Sequence, residues 1–415
     1  MRIRRTVAAL AVVCSAVALT ACSGSPSQPG AGKDTTLSFF SWDNEKTMKP
    51  IIAGFEKDNP NIKVKFSNAP PVAEYISTLQ TRVLSGTAAD VFSIAAENKT
   101  NLIGGKLVVD LTNETFMSGI TDFNKAAYSA DDHVYGMSTS TWGAGVLYNK
   151  DLLAKVGVKA PPKTWDEFLA LCKTLKAAKI TPYLESVQGM STPLSAFLGA
   201  ENAAGGGKMD TGIFDGSSSF ADTWVEPLTQ WSKLWKDGLV TKDVVGLTGD
   251  QVRDEFANGR VAMIVAGPWD VQPVRDANPK LNFEMVPVPA LADGAPYLAG
   301  AASPGWAINA KTKNLTAAKS FLTYLASAKV VEEYHDATSA ITTTAEFTPK
   351  IDPALEPIAK AVRAGDVYLP QIAWKRHEDV LNVEAVAQLQ LLVQGKATPT
   401  QVAEDLDRKL KETDG

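Results

Sequence analysis

A regular alternation of strand and helix patterns between residues 37 and 94 is the feature that most constrains the fold of this chain. Strand-like segments at 37–42, 62–66 and 90–94 are separated by segments at 48–55 and 76–83, whose apolar residues recur at helical spacing. Strands that are joined by single helices pair in parallel through right-handed crossovers. The sequence therefore predicts an α/β fold that begins with a β-α-β-α-β unit.

Further strand and helix patterns follow in the middle of the chain. A strand at 146–150 leads into a helix at 151–158. Thr164 and Glu167 have the spacing of a capping box, in which each side chain bonds an unpaired amide at the start of a helix. We expect that helix to begin at Trp165 and to stop before Pro182. A buried strand is predicted at 261–265.

The last hundred residues are predicted to be mainly helical, with helices at 317–334 and 381–393. Trp224, Trp231 and Trp235 recur at spacings of seven and four, which places them on one helical face. We expect these tryptophans, together with Trp165, to pack into the core.

The first 22 residues have the pattern of a bacterial lipoprotein signal. Met1 to Arg5 is basic, and Thr6 to Thr20 is apolar or small but too short to span a membrane comfortably. Leu19-Thr20-Ala21-Cys22 resembles a lipobox, which implies cleavage before Cys22 and lipid attachment, with palmitate, to its thiol. An ordinary signal peptide that happens to contain a cysteine is the alternative. We predict a signal at 1–21.

Residues 22–35 are rich in Gly, Pro and Ser, and this composition predicts a flexible linker to the anchor. Loss of residues 1–21 removes Arg2, Arg4 and Arg5 and leaves 38 basic against 46 acidic residues, a net charge of −8. This acidic balance argues against nucleic acid as a partner. Cys172 is left without an intramolecular partner, so no disulfide framework is expected. The three histidines are far apart, and we predict neither a metal site nor a cofactor.

Five short segments resemble, in order, motifs of the extracellular solute-binding proteins of carbohydrate ABC importers (family 1), the group that includes maltose-binding protein. They are FEKDNPNIKV at 55–64, SGTAADV at 85–91, YNKDLL at 148–153, PKTWDEF at 162–168 and GPW at 267–269. Ala89 departs from the family pattern, which usually has proline there; the change affects a turn. The resemblance covers essentially the whole chain after the signal.

The resemblance implies a two-lobed, periplasmic-binding-protein-like (type II) α/β fold with a hinge and a ligand cleft between the lobes. By analogy the chain should cross between lobes near Ala144, near 298–302 and near 338–341. The N-terminal lobe would contain 36–142 plus 301–338, and the C-terminal lobe 143–300 plus 339–415.

Ligands of open α/β sheets generally bind beyond the carboxyl ends of the strands. A sugar presents apolar C–H faces and a rim of hydroxyls, which suit aromatic rings and carboxylates or amides. In the family, an acid at the position of Glu97 accepts bonds from sugar hydroxyls and a tryptophan at that of Trp269 stacks on a sugar ring. The candidate ligand-binding residues at predicted strand ends and crossings are Trp42, Asp43, Asn44, Glu97, Asn98, Trp142, Trp269, Asp270, Ser303 and Trp306.

The resemblance implies a lipid-anchored, monomeric binding protein on the extracytoplasmic face of a bacterial membrane. Its partners would be a sugar, with an oligosaccharide favoured by the several aromatics, and the membrane permease, which contacts the ATPase subunit in turn. Two alternatives remain open, and a third is disfavoured. The solute could be a polyol or of the glycerol phosphate type. Glu97 and Asp270 could be cast as a glycosidase pair, although no catalytic motif accompanies them. A surface adhesion protein would need repeats or a stalk, and neither is present.

Overall fold

A computed structural model describes residues 34–415 except 292–293, 346 and 349. The predicted signal at 1–21, Cys22 and nearly all of the linker lie outside these residues. Among the described residues, none of the helices has the length and apolar character needed to cross a membrane.

The strands and helices alternate along much of the chain. The strands are β1 Thr35–Ser41, β2 Ile62–Asn68, β3 Val91–Ile94, β4 Ser129–Ala130, β5 His133–Val134, β6 Ser140–Asn149, β7 Thr181–Leu184, β8 Val261–Ala266, β9 Phe283–Val286, β10 Leu298–Ala302, β11 Gly305–Ile308, β12 Ile341–Thr342 and β13 Val367–Tyr368. The helices are α1 Glu45–Asp58, α2 Val72–Leu84, α3 Lys99–Gly104, α4 Asp122–Ala127, α5 Lys150–Lys155, α6 Trp165–Ala177, α7 Thr192–Ala204, α8 Met209–Asp215, α9 Phe220–Lys236, α10 Gly249–Ala257, α11 Val271–Ala277, α12 Leu315–Leu325, α13 Ala328–Thr338, α14 Glu356–Ala364, α15 Pro370–Ala373, α16 Glu378–Gln394 and α17 Pro399–Asp414.

The first sheet is built by the predicted β-α-β-α-β unit. Its strand order is β11-β3-β1-β2, and β1 pairs in parallel with both β2 and β3, as the sequence predicted. The apolar face of α1 covers this sheet, with Met48, Ile51 and Phe55 buried. We call the body around this sheet the first lobe.

The second sheet is mixed and is centred on the long strand β6. Its order is β13-β10-β6-β8-β7, and β6 runs antiparallel to both β10 and β8. Because β6 and β8 run in opposite directions, the amino end of β6 lies at the same sheet edge as the carboxyl end of β8. We call the body around this sheet the second lobe.

The chain passes from one sheet to the other at three places. Met137 bridges Trp306 of the first sheet, whereas Thr141 pairs with Ala302 in the second. Ser303 and Pro304 join β10 of the second sheet to β11 of the first. After α13 the chain enters β12, which pairs with β6. Sheet membership alone does not fix lobe boundaries, so the predicted domain limits stay a prediction.

The core of the second lobe confirms the structural role that was predicted for several tryptophans. Trp165, Trp224 and Trp231 are fully buried, and Trp235 is 6% exposed. The Thr164 hydroxyl accepts from the Glu167 amide, and the Glu167 carboxylate reaches back, so the capping box at the start of α6 is confirmed.

One boundary agrees with the sequence prediction and one differs. Helix α6 ends at Ala177, before Pro182 as expected, and Pro182 lies inside β7. Strand β7 lies at the edge of its sheet. The backbone N–H that Pro182 lacks is therefore not needed for a hydrogen bond to a neighbouring strand. The helix predicted at 317–334 is two helices, α12 and α13, separated by Ala326 and Ser327.

Candidate functional site

Trp269 stands on a short turn just after β8, at the end of the strand where the sequence placed it. Its side chain is 51% exposed, which is unusual for so large an apolar group. The indole lies flat over Gly267, because a Cβ atom built on that glycine would be only 2.3–2.5 Å from three of the indole carbons. One ring face therefore rests on backbone, and the rest of the indole remains open to solvent.

Trp142 lies in β6, next to Trp269 at the same sheet edge. The sequence placed it before the strand, but β6 begins at Ser140 and includes it. The Trp142 and Trp269 rings meet edge to face, with centroids 5.4 Å apart. Trp142 is partly exposed and packs against Ala299 and Leu369. The two indoles form an aromatic corner on the second lobe.

Asp270 fixes the turn that carries Trp269. The Gly267 amide donates to Asp270 Oδ2 at 2.9 Å, and Arg253 Nη1 lies 3.6 Å from Asp270 Oδ1. Burial raises the pKa of Asp270 to about 6, while the Gly267 and Arg253 contacts oppose the rise. With both oxygens engaged, Asp270 positions the turn, and we assign it that role.

Trp42 and Asp43 follow β1 on the first lobe. The ring of Trp42, which is partly exposed, meets Tyr75 edge to face at 5.1 Å. The Ser41 hydroxyl donates to Asp43 Oδ2 at 2.8 Å and the Tyr334 hydroxyl to Asp43 Oδ1 at 3.0 Å. Burial raises the pKa of Asp43, and these hydrogen bonds limit the rise.

Glu97 lies in the turn after β3, as the sequence placed it. It retains partial exposure, but desolvation raises the pKa of its carboxyl, and the charge of Glu378 adds to the effect. Burial raises the pKa of Tyr128, and the negative charge of Glu97 adds to the effect. The Tyr128 hydroxyl donates to the Ala302 carbonyl at 2.7 Å.

Tyr128 thereby joins the first lobe to β10 of the second sheet. Ala302 pairs with Thr141, and its neighbour Ala301 pairs with Trp142. The hydrogen bond from Tyr128 therefore meets β10 beside the strand that carries Trp142.

Asn44 and Asn98 perform local structural roles. The Asn44 side chain accepts from the Thr47 amide at 3.0 Å and caps α1. Asn98 is 8% exposed, and its carbonyl oxygen accepts from the Ala95 amide at 3.1 Å. Ser303 is partly exposed at the crossing, where its carbonyl accepts from the Ser140 hydroxyl at 2.9 Å.

The prediction that Trp306 offers a surface to ligand is corrected by the structure. Its side chain is 1% exposed and packs in the first-lobe core, edge to face with Tyr334. Trp306 lies inside β11, and its side chain points into the packed core of the first lobe, so no ring face is free for a sugar.

Tyr334 and Glu378 were missed by the sequence analysis, because each lies on an element distant in sequence from the candidate residues and no local pattern marks it. Among the described residues, no group of His, Cys, Asp and Glu is arranged to hold a metal ion.

A family model described as bacterial extracellular solute-binding protein matches residues 51–361. The multiple sugar-binding protein of Streptococcus mutans is 28% identical over 334 residues, which are 78% of each chain. The galactooligosaccharide-binding protein of Bacillus subtilis is 25% identical over 405 residues, 94% of this chain and 93% of that one.

The fold has a close counterpart among solved structures. A family 1 extracellular solute-binding protein from Bifidobacterium longum subsp. infantis superposes with a TM-score of 0.79 at 30% identity, over 92% of this chain and 100% of that one. This confirms the predicted two-lobed, periplasmic-binding-protein-like fold. The matched family consists of binding proteins, in agreement with the expectation that the chain is not an enzyme. The chain belongs to the family of bacterial extracellular solute-binding proteins.

Proposed function

We propose that this protein is the sugar receptor of an ABC importer, and that it captures an oligosaccharide between its two lobes. The observation that carries the proposal is the exposed aromatic corner of Trp142 and Trp269 on one lobe, with the carboxylate of Glu97 at the end of β3 on the other. Flat rings suit the C–H faces of a pyranose, and a carboxylate suits its hydroxyls. Trp42 and Asp43 supply a further aromatic ring and a further carboxylate on the first lobe.

The names of the relatives support the same ligand class. The Streptococcus mutans protein is named for multiple sugars and the Bacillus subtilis protein for galactooligosaccharides. Several aromatic surfaces, rather than one, favour a ligand of more than one ring. We exclude Trp306 from the site, and we assign Asn44, Asn98 and Asp270 supporting roles.

Ligand capture would close the lobes about the three crossings. Closure is coupled to binding only when the ligand contacts both lobes, because a ligand that touched one lobe alone would bind the open and closed forms equally. Trp42 and Glu97 would contribute from the first lobe and Trp269 from the second, with Trp142 at the boundary between them. The closed form would then dock on the permease and deliver the sugar.

Membrane attachment through Cys22 belongs to the same proposal. A lipobox at 19–22 and a Gly, Pro and Ser-rich linker support an anchor on the extracytoplasmic face, with 36–142 plus 301–338 and 143–300 plus 339–415 as the tethered lobes. Stable anchoring needs more than one acyl chain, which a diacylglyceryl cysteine supplies. Release of the protein from membranes by Cys22→Ala would support the anchor; retention would contradict it.

A thermal-shift panel on the full chain, purified in mild detergent, tests the ligand class. The panel contains neutral oligosaccharides, monosaccharides, polyols, glycerol 3-phosphate, amino acids and peptides. A ligand at a hundred times its Kd should stabilise the fold by about 2.7 kcal/mol. Stabilisation by an oligosaccharide supports the proposal, whereas stabilisation by amino acids or peptides alone refutes it. Turnover of a glycoside in the same samples would favour an enzyme.

A further inference from the structure

Glu378 lies at the junction between the two lobes, at the start of α16. Its side chain is 1% exposed, and Leu381 and Leu389 anchor α16 in the second-lobe core. The backbone N–H of Thr100, in α3 of the first lobe, donates to Glu378 Oε1 at 3.2 Å. The Glu378 carboxylate therefore joins the lobes.

The second oxygen of this carboxylate is buried and has no hydrogen-bond partner. Gln371, 6% exposed in the preceding helix, likewise has a buried Oε1 without a partner. Both atoms are acceptors. Buried polar atoms in native proteins nearly always have partners, so these two free acceptors call for a donor that the described residues do not supply.

Glu378 acts electrostatically on the first-lobe residues that face it. Its charge contributes to the raised pKa of Glu97. Burial lowers the pKa of Lys99 to about 8, and the charge of Glu378 opposes that change. The Lys99 ammonium itself donates to the Ala127 carbonyl at 3.0 Å. The turn that carries Glu97 packs against α15 and α16, so Glu97 and Glu378 lie on elements of opposite lobes that are in contact.

We propose that Glu378 is a ligand-binding residue of the second lobe, which acts with Glu97 to accept hydrogen bonds from hydroxyls of one bound sugar. This inference rests on the proposed function and narrows its substrate class. A neutral ligand with neighbouring O–H donors satisfies both carboxylates, and by touching both lobes it favours closure. A phosphate or carboxylate group is unfavourable beside two carboxylates, although the Lys99 ammonium also acts on this region. We therefore expect a neutral sugar to bind more tightly than glycerol phosphate.

Glu378→Gln tests the assignment with little change of shape. The glutamine oxygen still accepts from the Thr100 amide, while an NH₂ donor replaces the free carboxylate oxygen. Asp379→Asn, the same change at the adjacent exposed position, is the matched control. The full chain and both variants are titrated calorimetrically with raffinose, maltotriose, a galactotriose and glycerol 3-phosphate.

We expect the affinity for the sugar that the wild type binds to fall at least tenfold in Glu378→Gln and less than twofold in Asp379→Asn. The Tm without sugar should be close to that of the wild type. Glu378→Asp is a second variant. It keeps the negative charge, but its shorter side chain holds the carboxylate farther from the sugar, so it should also weaken binding.

If the wild type binds a sugar and both Glu378 variants bind it with the same affinity, this inference is overturned and the proposed function stays intact. Wild-type binding of glycerol 3-phosphate and of no sugar would overturn both. A lowered Tm with unchanged sugar affinity would assign Glu378 a structural role alone and also overturn the inference.

Discussion

The indoles of Trp142 and Trp269 meet edge to face, with their ring centroids 5.4 Å apart and their planes at 69°. This arrangement is favourable for aromatic pairs, because the positive edge of one ring meets the negative face of the other. The pair holds Trp269 in a defined orientation although half of its side chain is exposed. Because the two indole rings are set at a steep angle, they can contact two faces of one ligand, or two rings of an oligosaccharide.

Gly267→Ala should weaken sugar binding by displacing the Trp269 indole. The new Cβ would lie as close as 2.3 Å to a ring carbon, so the ring must move away from its place beside Trp142. We expect an affinity loss of about tenfold, or 1.4 kcal/mol, measured by calorimetric titration. Gly246→Ala, where an added Cβ has no neighbour within 4 Å, is the matched control. Unchanged affinity in Gly267→Ala would show that the orientation of Trp269 is unimportant.

Glu185→Gln should flatten the pH dependence of stability. Glu185 is buried and accepts from the Tyr183 hydroxyl and the Trp231 indole N–H, both at 2.7 Å. Burial raises the pKa of Glu185 to about 7 from 4.5. Between these values the folded state holds more protons on this group than the unfolded state, so its contribution makes stability fall as pH rises.

Urea unfolding at several pH values between about 5 and about 8 checks the expectation for Glu185. The wild type should lose free energy of unfolding relative to Glu185→Gln as the pH rises through this range. The glutamine can still accept from Trp231 and donate to Tyr183, so both hydrogen bonds remain available. Parallel profiles for the two proteins would contradict the assignment.

Asn124→Ala should destabilise the first crossing between the lobes. The Asn124 amide is fully buried, donates to the carbonyls of Ser138 and Ser140 at 3.1 Å, and accepts from Thr141 at 3.0 Å. Loss of the side chain leaves two buried carbonyls without this donor, at a cost of about 2 kcal/mol.

Chemical unfolding measures the loss for Asn124→Ala, with the exposed Asn258→Ala as a comparison. A free energy of unfolding equal to that of the wild type would mean that water replaces the amide at the crossing.

Local patterns predicted the first sheet well, because each strand and helix there has its own periodicity and stop signal. Pro60 follows α1 directly, and Met48, Ile51 and Phe55 mark its buried face. The mixed second sheet was less predictable. The antiparallel pairing of β6 with β8 and β10 joins segments more than a hundred residues apart, and nothing within β6 specifies it.

The sequence predicted correctly those candidate residues whose side chains are exposed because they directly follow a strand. Trp42, Glu97 and Trp269 lie at strand ends as expected. Trp306 was misjudged because the strand β11, which was not predicted, contains it and its side chain packs into the first-lobe core. Glu378 could not have been selected, since its environment comes from α3, far away in the sequence. Which of these residues bind ligand stays a prediction.

Titration of the wild type and Trp269→Ala with a neutral oligosaccharide is the most direct test of sugar capture. The side chain is half exposed, so its removal should leave the Tm without sugar nearly unchanged. Leu84→Ala, at an 81% exposed position, is the control for loss of an exposed apolar side chain. The account predicts saturable binding by the wild type and at least a tenfold loss in Trp269→Ala, a change of about 1.4 kcal/mol. Equal affinities of the two proteins, or no binding of oligosaccharide by the wild type, would contradict it.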